Sequence, residues 1–258
     1  MRILCIGDVT GDIGCEHLRK TLPQIKSQEN IDVVICNGEN SSDNNGISEM
    51  SARFLLDSGV DMLTCGNHTF KNNCVHDFLD YSESIVRPAN FPTSAPGVGM
   101  RYIDKGKYAI AVINILGTKY LEPLACPFYA ADELVSKAKF DGVKIIIIDF
   151  HAETTSEKRA MGFHLDGQIT ALVGTHTHVQ TADAQILPNG TGYITDLGMC
   201  GPVQSVLGVS PAESIKFLRS KLPVKFVHAK GVCKLDGVIL DVDESTGKSV
   251  GIKAINVR

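Results

Sequence analysis

Two histidines separated by one residue, His176 and His178, follow a short apolar run in the stretch LVGTHTHVQT (172–181). In extended backbone, residues i and i+2 point to the same face, so the two imidazoles could serve one metal ion or two adjacent ions. An H-x-H pattern alone is a weak signal, because two exposed histidines in a polar turn would produce it as well. The rest of the chain must decide between these two interpretations.

Four other apolar runs that read as strands also end in polar side chains. These residues are Asp8 after LCIG, Glu39 and Asn40 after VVICNG, Asn67 and His68 after MLTCG, and His151 after IIIIDF. Ligands of open α/β sheets bind beyond the carboxyl ends of the strands, so side chains from five strand ends would converge on one place. Each residue alone could be a cap, a turn residue or a buried histidine. Five strand ends of the same kind favour a site, and we expect the glycines that precede four of them to allow tight turns beside a ligand: Gly7, Gly38, Gly66 and Gly174.

The side chains at these strand ends form a donor set of one Asp, one Glu, two Asn and four His. Oxygen and imidazole donors without thiolates suit Mn, Fe or Zn better than a Cys-rich zinc site or an all-oxygen Ca or Mg site. The set is too large for one ion, whereas two ions that share a carboxylate need about this number. Glu39 lies in the middle of the set and is the natural bridge. Two ions at such a site clamp the attacking and leaving oxygens of a phosphoryl displacement.

The order of the elements predicts how these residues are positioned. Strand-like runs at 2–7, 32–38, 60–66, 143–150 and 169–175 alternate with helical patterns near 14–28, 48–59, 72–80 and 130–140. This alternation requires parallel strands. The C-terminal third changes character, with strand or hairpin patterns at 191–198, 223–229 and 231–257 and one helix at 211–220. We therefore expect a single α/β domain over 1–258, with two packed sheets and helices outside.

Composition narrows the class of protein. A chain of 258 residues with 43% hydrophobic content and a net charge of −4 can bury a full core, and its charge does not indicate a nucleic-acid or anionic-membrane binder. The apolar stretch 143–149 is too short to span a bilayer. The N-terminus has no signal-peptide pattern, and none of the eight cysteines forms a C-x-x-C pair. These features predict reduced thiols and a cytoplasmic protein.

The motifs resemble a known family. The order GD, GEN, GNH, a lone histidine and GTHTH is similar to that of the calcineurin-like metallophosphoesterases, whose blocks are D-x-H, G-D, G-N-H, a single His and G-H-x-H. This chain departs from those blocks in three places. Thr10 replaces a metal-binding histidine, Glu39 replaces Asp, and the last block reads GTHTH instead of G-H-x-H. The departures themselves resemble the YmdB-like subgroup, and the likeness extends through 86–92, 149–158, 174–183 and 193–202. The resemblance implies a four-layer αββα sandwich of the metallophosphoesterase type, made of two mixed sheets flanked by helices.

The resemblance also implies a ligand set for two divalent or trivalent transition-metal ions, with Fe or Mn expected and Zn as an alternative. One ion would be bound by Asp8, Glu39, Asn40 and His178, and the other by Glu39, Asn67, His151 and His176. His68 would face the substrate and protonate the leaving oxygen, a role that suits histidine because its pKa lies near neutrality. The implied activity is a metal-dependent phosphodiesterase, with attack by a metal-bridging hydroxide and 2′,3′-cyclic nucleotides as the leading substrates.

Other functions remain open from the residues alone. A metallohydrolase of another substrate class, such as a phosphatase or an amidohydrolase, would also use such ligands, although the H-x-H of amidohydrolases belongs to the first strand of a (β/α)₈ barrel. A non-catalytic or regulatory metal-binding protein is a third alternative, against which the presence of His68 argues. The expected partner is a small phosphodiester or nucleotide, with RNA only as a substrate and no membrane. Homo-oligomer formation is left open.

Four further residues have two interpretations each. Arg87 and Asn90 in VRPANFP could contact a phosphate, but an arginine before a proline-rich loop is more often structural. Asp149 and Glu153 flank His151. They could orient a metal ligand by hydrogen bonding to it, or they could serve as caps. The remaining histidines lie outside the strand-end pattern and are interpreted as ordinary residues: His17, His76, His164 and His228.

Overall fold

Two mixed β-sheets lie face to face, each with helices on its outer surface. The structure, a computed structural model, describes residues 1–42 and 45–258. The first sheet has the order β2 (Asp8–Val9), β11 (Met199–Pro202), β12 (Cys233–Val242), β1 (Arg2–Ile6), β3 (Val33–Asn37), β4 (Met62–Thr64), and β13 (Ser249–Val257) pairs with β12. The second has the order β5 (Met100–Asp104), β6 (Ala109–Leu116), β7 (Ile145–His151), β8 (Ala171–Thr175), β10 (Gly192–Ile194), β9 (Gln185–Ile186).

The expected parallel pairing is confirmed in both sheets. β1, β3 and β4 are parallel neighbours in the first sheet, and β6, β7, β8 and β10 are parallel neighbours in the second. The C-terminal hairpin of β12 and β13 is antiparallel and adds to the first sheet beside β1. The carboxyl ends of the parallel strands therefore meet at one edge of each sheet, which is where the sequence places the polar residues.

Side-chain alternation along the central strands explains the layers. In β1, Ile3 and Cys5 belong to the core between the sheets, which also contains Val112 and Ile147 of the second sheet. Leu4 and Ile6 point the other way and pack with the outer helices. The helices over the first sheet are α1 (Gly11–Glu29), α2 (Glu49–Asp57) and α3 (His76–Tyr81). Those over the second are α4 (Pro127–Phe140) and α5 (Thr155–His164), so the predicted αββα arrangement is confirmed.

Several elements differ from the sequence prediction, and the largest differences are one helix and one strand. Helix α5 was not predicted, because only three of its residues are buried (Lys158, Met161 and Gly162) and they give no clear apolar stripe. The strand predicted at 223–229 is wrong: this segment has no regular strand and touches β structure only through an isolated bridge at His228. Its apolar side chains line a cavity instead of pairing in a sheet. Helix α6 (Pro211–Ser220), which precedes it, is confirmed over 211–220.

Core cysteines behave as small apolar residues. Cys5 and Cys36 are buried, and burial raises the pKa of both thiols well above its usual value. In the described ranges, none of the helices is long and apolar enough to cross a lipid bilayer. The prediction of a single domain stays a prediction.

Candidate metal centre and active site

All eight residues at the strand ends are joined by contacts at the edge where the two sheets meet. The first sheet supplies Asp8 after β1, Glu39 and Asn40 after β3, and Asn67 and His68 after β4. The second sheet supplies His151 at the end of β7, and His176 and His178 after β8. The shared topological position thus brings together residues that are up to 170 positions apart in the chain, from Asp8 to His178.

One half of the cluster is centred on the Nε2 atom of His151. This nitrogen lies 3.0 Å from Glu39 Oε1, 3.0 Å from Asn67 Oδ1 and 3.0 Å from His176 Nδ1. The ligand atoms of Glu39, His151 and His176 all lie within 4.8 Å of one another, close enough to hold one metal ion. Such a concentration of acceptor atoms around one point requires a cation or shared protons to be stable.

The other half lies around the Asn40 amide. Asn40 Nδ2 is 3.1 Å from Glu39 Oε1, 3.3 Å from His178 Nε2 and 3.5 Å from Asp8 Oδ1. These three neighbours are acceptors, and the amide NH₂ lies among them as a donor. Glu39 contacts both halves through its Oε1 atom, which is the position expected of a bridging carboxylate.

The two acidic residues are ionised although they are buried. Burial raises the pKa of Asp8, but the facing His178 outweighs burial and holds the pKa well below its usual range. Burial likewise raises the pKa of Glu39, and His151 lowers it to a net value below the usual one. Burial lowers the pKa of His151, yet Glu39 raises it to about 9 overall. The cluster thus consists of two carboxylates that attract positive charge, whether protons or metal ions.

Three of the four histidines, here called the cluster histidines, each have one ring nitrogen engaged outside the cluster: His151, His176 and His178. His178 Nδ1 donates to the Leu207 carbonyl at 3.0 Å, and His176 Nε2 lies 3.0 Å from Glu153 Oε2. His151 Nδ1 is 2.9 Å from the Thr175 hydroxyl. These partners keep a proton on the outer nitrogen of each ring. The inner nitrogen of His151 is also protonated while its pKa is about 9. A cation that displaces this proton would leave the ring in the tautomer that metal-binding histidines adopt.

Asp149 supports His151 through Thr175. The Thr175 hydroxyl donates to Asp149 Oδ1 at 2.6 Å, while the Asn37 amide donates to Asp149 Oδ2 at 2.9 Å and Thr64 makes a short hydrogen bond to the same oxygen. Burial raises the pKa of Asp149 to about 6. The alternative of a simple strand-end cap is therefore wrong for Asp149, and Glu153 contacts His176 as a supporting residue would.

The backbone of the H-x-H turn is strained. Strand β8 ends at Thr175, and His176 and His178 have φ values of 99° and 62°. The expectation that extended backbone aims both rings at one face is therefore wrong. Residues other than glycine rarely adopt positive φ, and when they do so at nearby positions the surrounding structure must hold them there. The rings reach the two halves of the cluster because the chain turns between them.

A buried ion pair holds this turn in place. Asp196 Oδ2 accepts from the Thr177 amide at 3.0 Å and from the Thr177 hydroxyl at 2.8 Å. The same oxygen is 2.7 Å from the ammonium of Lys158 on α5, and both side chains are only 1% exposed. Sequence reasoning missed Lys158, Thr177 and Asp196. The available signal was a lysine inside the segment 149–158 and an aspartate inside the segment 193–202, both of which carry the family resemblance.

Gly66 is required by the cluster itself. A Cβ atom at this position would lie 2.3 Å from Glu39 Oε2 and 2.4 Å from His151 Cδ2, so no other residue fits without displacing both. Glycine is needed here because the backbone passes close to these two side chains. A left-handed conformation is not the reason, since the φ of Gly66 is not positive.

His68 lies at the border between the cluster and a cavity. Its Nδ1 atom is 2.9 Å from Asn40 Oδ1 and 3.5 Å from Glu39 Oε1. The side chain is 32% exposed, and burial lowers its pKa below the usual value. The cavity beyond has a volume of about 440 Å³ and is also lined by Glu39, Asn40, His176 and His178. His228 lines it too, although no pattern in the sequence singled out this residue.

Arg87 and Asn90 have structural roles. Arg87 is buried and donates to the carbonyls of Pro88, Ala95 and Pro96. Asn90 donates to backbone carbonyls at 116 and 125. Neither guanidinium nor amide is free to bind a phosphate.

Comparison with known proteins identifies the family. Residues 4–255 match the sequence model of the YmdB-like proteins. The chain belongs to the YmdB-like family. It is 46% identical over 255 residues to the 2′,3′-cyclic-nucleotide 2′-phosphodiesterase of Bacillus subtilis (strain 168), covering 99% of this chain and 96% of that protein.

Solved structures agree with the YmdB-like assignment. A phosphatase from Mycoplasma pneumoniae superposes with a TM-score of 0.93 at 37% identity, over 100% of this chain and 93% of the other. The 5′-nucleotidase precursor of Thermus thermophilus has a TM-score of 0.60 at 12% identity and shares the fold, this chain covering 54% of it. The family and the metallophosphoesterase fold predicted from sequence are therefore confirmed, as is the general class of a phosphoesterase enzyme.

Proposed function

We propose that this protein is a dinuclear metal-dependent phosphodiesterase that hydrolyses 2′,3′-cyclic nucleotides. The observation that carries the proposal is the arrangement of the three cluster histidines. Each has its outer ring nitrogen hydrogen-bonded. The inner nitrogen of His151 faces Glu39 and Asn67, that of His178 faces Asp8 and Asn40, and that of His176 faces the His151 ring. Rings held in this tautomer around ionised carboxylates favour cation binding over a purely hydrogen-bonded role.

The residues fit two transition-metal ions. Asn67, His151 and His176 would hold one ion, Asp8, Asn40 and His178 the other, and Glu39 would contact both. The mixture of imidazole and oxygen donors suits Fe or Mn, with Zn as an alternative. When bound, the ions supply Lewis acidity and lower the pKa of a water molecule, so that a nucleophile is available near neutral pH.

Asn40 links metal binding to His68. To offer its oxygen to a cation, the Asn40 amide must turn by about 180°, which exchanges the positions of its oxygen and nitrogen. The nitrogen then lies against His68 Nδ1, where the oxygen is now 2.9 Å away, and donates to it. This hydrogen bond leaves the proton of a neutral His68 ring on Nε2. The neutral ring can therefore donate an Nε2–H hydrogen bond to the leaving oxygen, and the pKa that burial has lowered keeps it in this neutral form.

The bond changes follow from these positions. A water oxygen forms a new bond to phosphorus, and the bond between phosphorus and the 2′ oxygen breaks. His68 Nε2–H donates a hydrogen bond to the departing 2′ oxygen and stabilises its negative charge. This oxygen takes up a proton from solvent, and the proton that the attacking water loses is released to solvent. The product is a 3′-nucleotide. The substrate class is suggested by the activity of the Bacillus subtilis relative, and an RNA that ends in a cyclic phosphate would react in the same way.

The test is hydrolysis of 2′,3′-cyclic AMP by the Mn- or Fe-loaded protein, with p-nitrophenyl phosphate as a monoester. We expect turnover of the diester and little of the monoester, and a loss of about 10²-fold or more in kcat for His68→Ala. His164→Ala is the matched control, since His164 pairs with Asp132 on the surface and should leave kcat unchanged. Two bound ions without diester turnover would refute the proposal and favour a regulatory metal-binding protein. Preferred monoester turnover would favour a phosphatase.

A further inference from the structure

The cavity in front of the metal centre has two unlike walls. One wall is polar and consists of the cluster residues with His68. The other wall comes from the loop before α6, from α6 itself and from the segment after it. Its lining residues are Val206, Leu207, Val209, Phe217, Leu218 and Phe226, which are apolar, together with Ser214 and His228. A volume of about 440 Å³ is within the range of about 300–1,000 Å³ for cavities that bind small ligands.

Two phenylalanines dominate the apolar wall. The rings of Phe217 and Phe226 contact each other edge to face, with centroids 5.5 Å apart and an interplanar angle of 74°. They remain 37% and 41% exposed and belong to none of the three core clusters. Exposed aromatic faces that border a cavity are available to stack on a flat ligand.

The reacting centre limits what can occupy this wall. This step rests on the proposed function, because it takes the phosphorus to lie at the metal cluster and the leaving oxygen to lie at His68. The remainder of a cyclic diester must then extend across the cavity toward α6. Apart from Ser214 and His228, the described residues that line this wall are apolar, so it favours an uncharged group with apolar faces over an anionic or cationic one.

We propose that Phe217 and Phe226 form the nucleobase subsite of this enzyme. A purine or pyrimidine ring presents two flat apolar faces and is the part of a nucleotide that matches the wall. Base stacking on aromatic side chains is tolerant of sequence, so the subsite distinguishes nucleoside diesters from other phosphodiesters without selecting one base strongly. Substrate preference thus comes from the C-terminal part of the chain, whereas the chemistry comes from the strand ends.

The first experiment measures equilibrium binding of 3′-AMP and of ribose 3-phosphate to the metal-loaded protein by calorimetry. We expect 3′-AMP to bind about tenfold more tightly or better, and Phe217→Ala and Phe226→Ala each to remove about tenfold of that difference while leaving ribose 3-phosphate affinity unchanged. Phe217→Leu keeps most of the volume and should show the same loss with an intact fold. Phe140→Ala, at an exposed position on α4, is the matched control and should bind as the wild type does.

The second experiment compares kcat/KM for 2′,3′-cyclic AMP and for a methyl riboside 2,3-cyclic phosphate that lacks the base. The variants should lower the first by about tenfold and leave the second within twofold. Equal binding of 3′-AMP and ribose 3-phosphate, or equal losses on both substrates, would overturn the subsite. So would a shift to smaller oligomers in the variants with unchanged nucleotide affinity, which would assign the wall to a contact between copies of the chain. A base-dependent affinity without turnover would support the subsite and refute only the proposed reaction.

Discussion

Replacing Asp196 by asparagine removes the carboxylate that neutralises the ammonium of Lys158. Both side chains are 1% exposed and their charged atoms are 2.7 Å apart, so neither solvent nor salt can compensate for the loss. Removing one member of a buried ion pair costs about 3–5 kcal/mol, because the other charge stays buried without its partner. An asparagine oxygen can still accept from the Thr177 amide and hydroxyl, so we expect the lower end of that range.

The measurement is urea or thermal unfolding of Asp196→Asn in the metal-free protein. A loss of about 3 kcal/mol corresponds to a fall in Tm of roughly 6–12 °C for a chain of this size. The control is Glu29→Gln, which breaks the surface pair with Lys253, whose side chains are 32% and 63% exposed. Exposed pairs contribute about 0–1 kcal/mol, so the control should unfold within roughly 4 °C of the wild type.

The same substitution should also weaken metal binding. Thr177 lies between His176 and His178, both at positive φ, and Asp196 is the group that holds it. Loss of such support around a metal ligand typically lowers metal affinity by about 10–100-fold, which calorimetric titration with Mn²⁺ would detect. If Asp196→Asn unfolds within about 1 °C of the wild type and binds Mn²⁺ equally well, the reasoning about the turn is refuted.

Three further predictions concern the metal centre. Gly66→Ala should lose metal from the site at His151 and keep its secondary structure, because the new Cβ would lie 2.3 Å from Glu39 Oε2. Elemental analysis measures the metal and circular dichroism the secondary structure, and full metal content would contradict the prediction. Thr175→Val removes the hydroxyl between His151 and Asp149 and should lower Mn²⁺ affinity by about 10–100-fold; an unchanged affinity would show that the bridge does not orient the ring. Mn²⁺ at about 100 times its dissociation constant should stabilise the metal-free protein by about 2.7 kcal/mol per site. A thermal scan would show this as a rise in Tm of at least about 5 °C, and an unchanged Tm would mean that no metal binds the folded state.

The sequence predicted the site better than it predicted the elements around it. Parallel strands place their carboxyl ends at one edge, so Asp8, Glu39 and His151 could be grouped from strand order alone. In the structure Glu39 contacts His151 directly and Asp8 through the Asn40 amide. Periodicity could not show helix α5, whose buried face is short and includes Lys158. It also could not show that Phe226 leaves the sheet to line the cavity.

The supporting contacts could not be predicted either, because they join residues distant in sequence. The partner of Thr177 is Asp196, and the partner of Asp196 is Lys158, which lies on a helix of the second sheet. No pattern of period 2 or 3.6 encodes such a chain of contacts. The H-x-H spacing was interpreted as extended backbone, whereas the two rings separate because of a strained turn. Strain of this kind is set by the tertiary structure and is visible only there.

The measurement that tests the central claim most directly is a titration of metal-free protein with Mn²⁺ while the initial rate of 2′,3′-cyclic AMP hydrolysis is followed. A centre in which Glu39 joins two ions predicts almost no activity up to one equivalent per chain and a rise that is complete near two. Full activity at one equivalent would contradict the dinuclear centre. Absence of activity at every ratio, with two ions bound, would contradict the assignment as a cyclic-nucleotide phosphodiesterase.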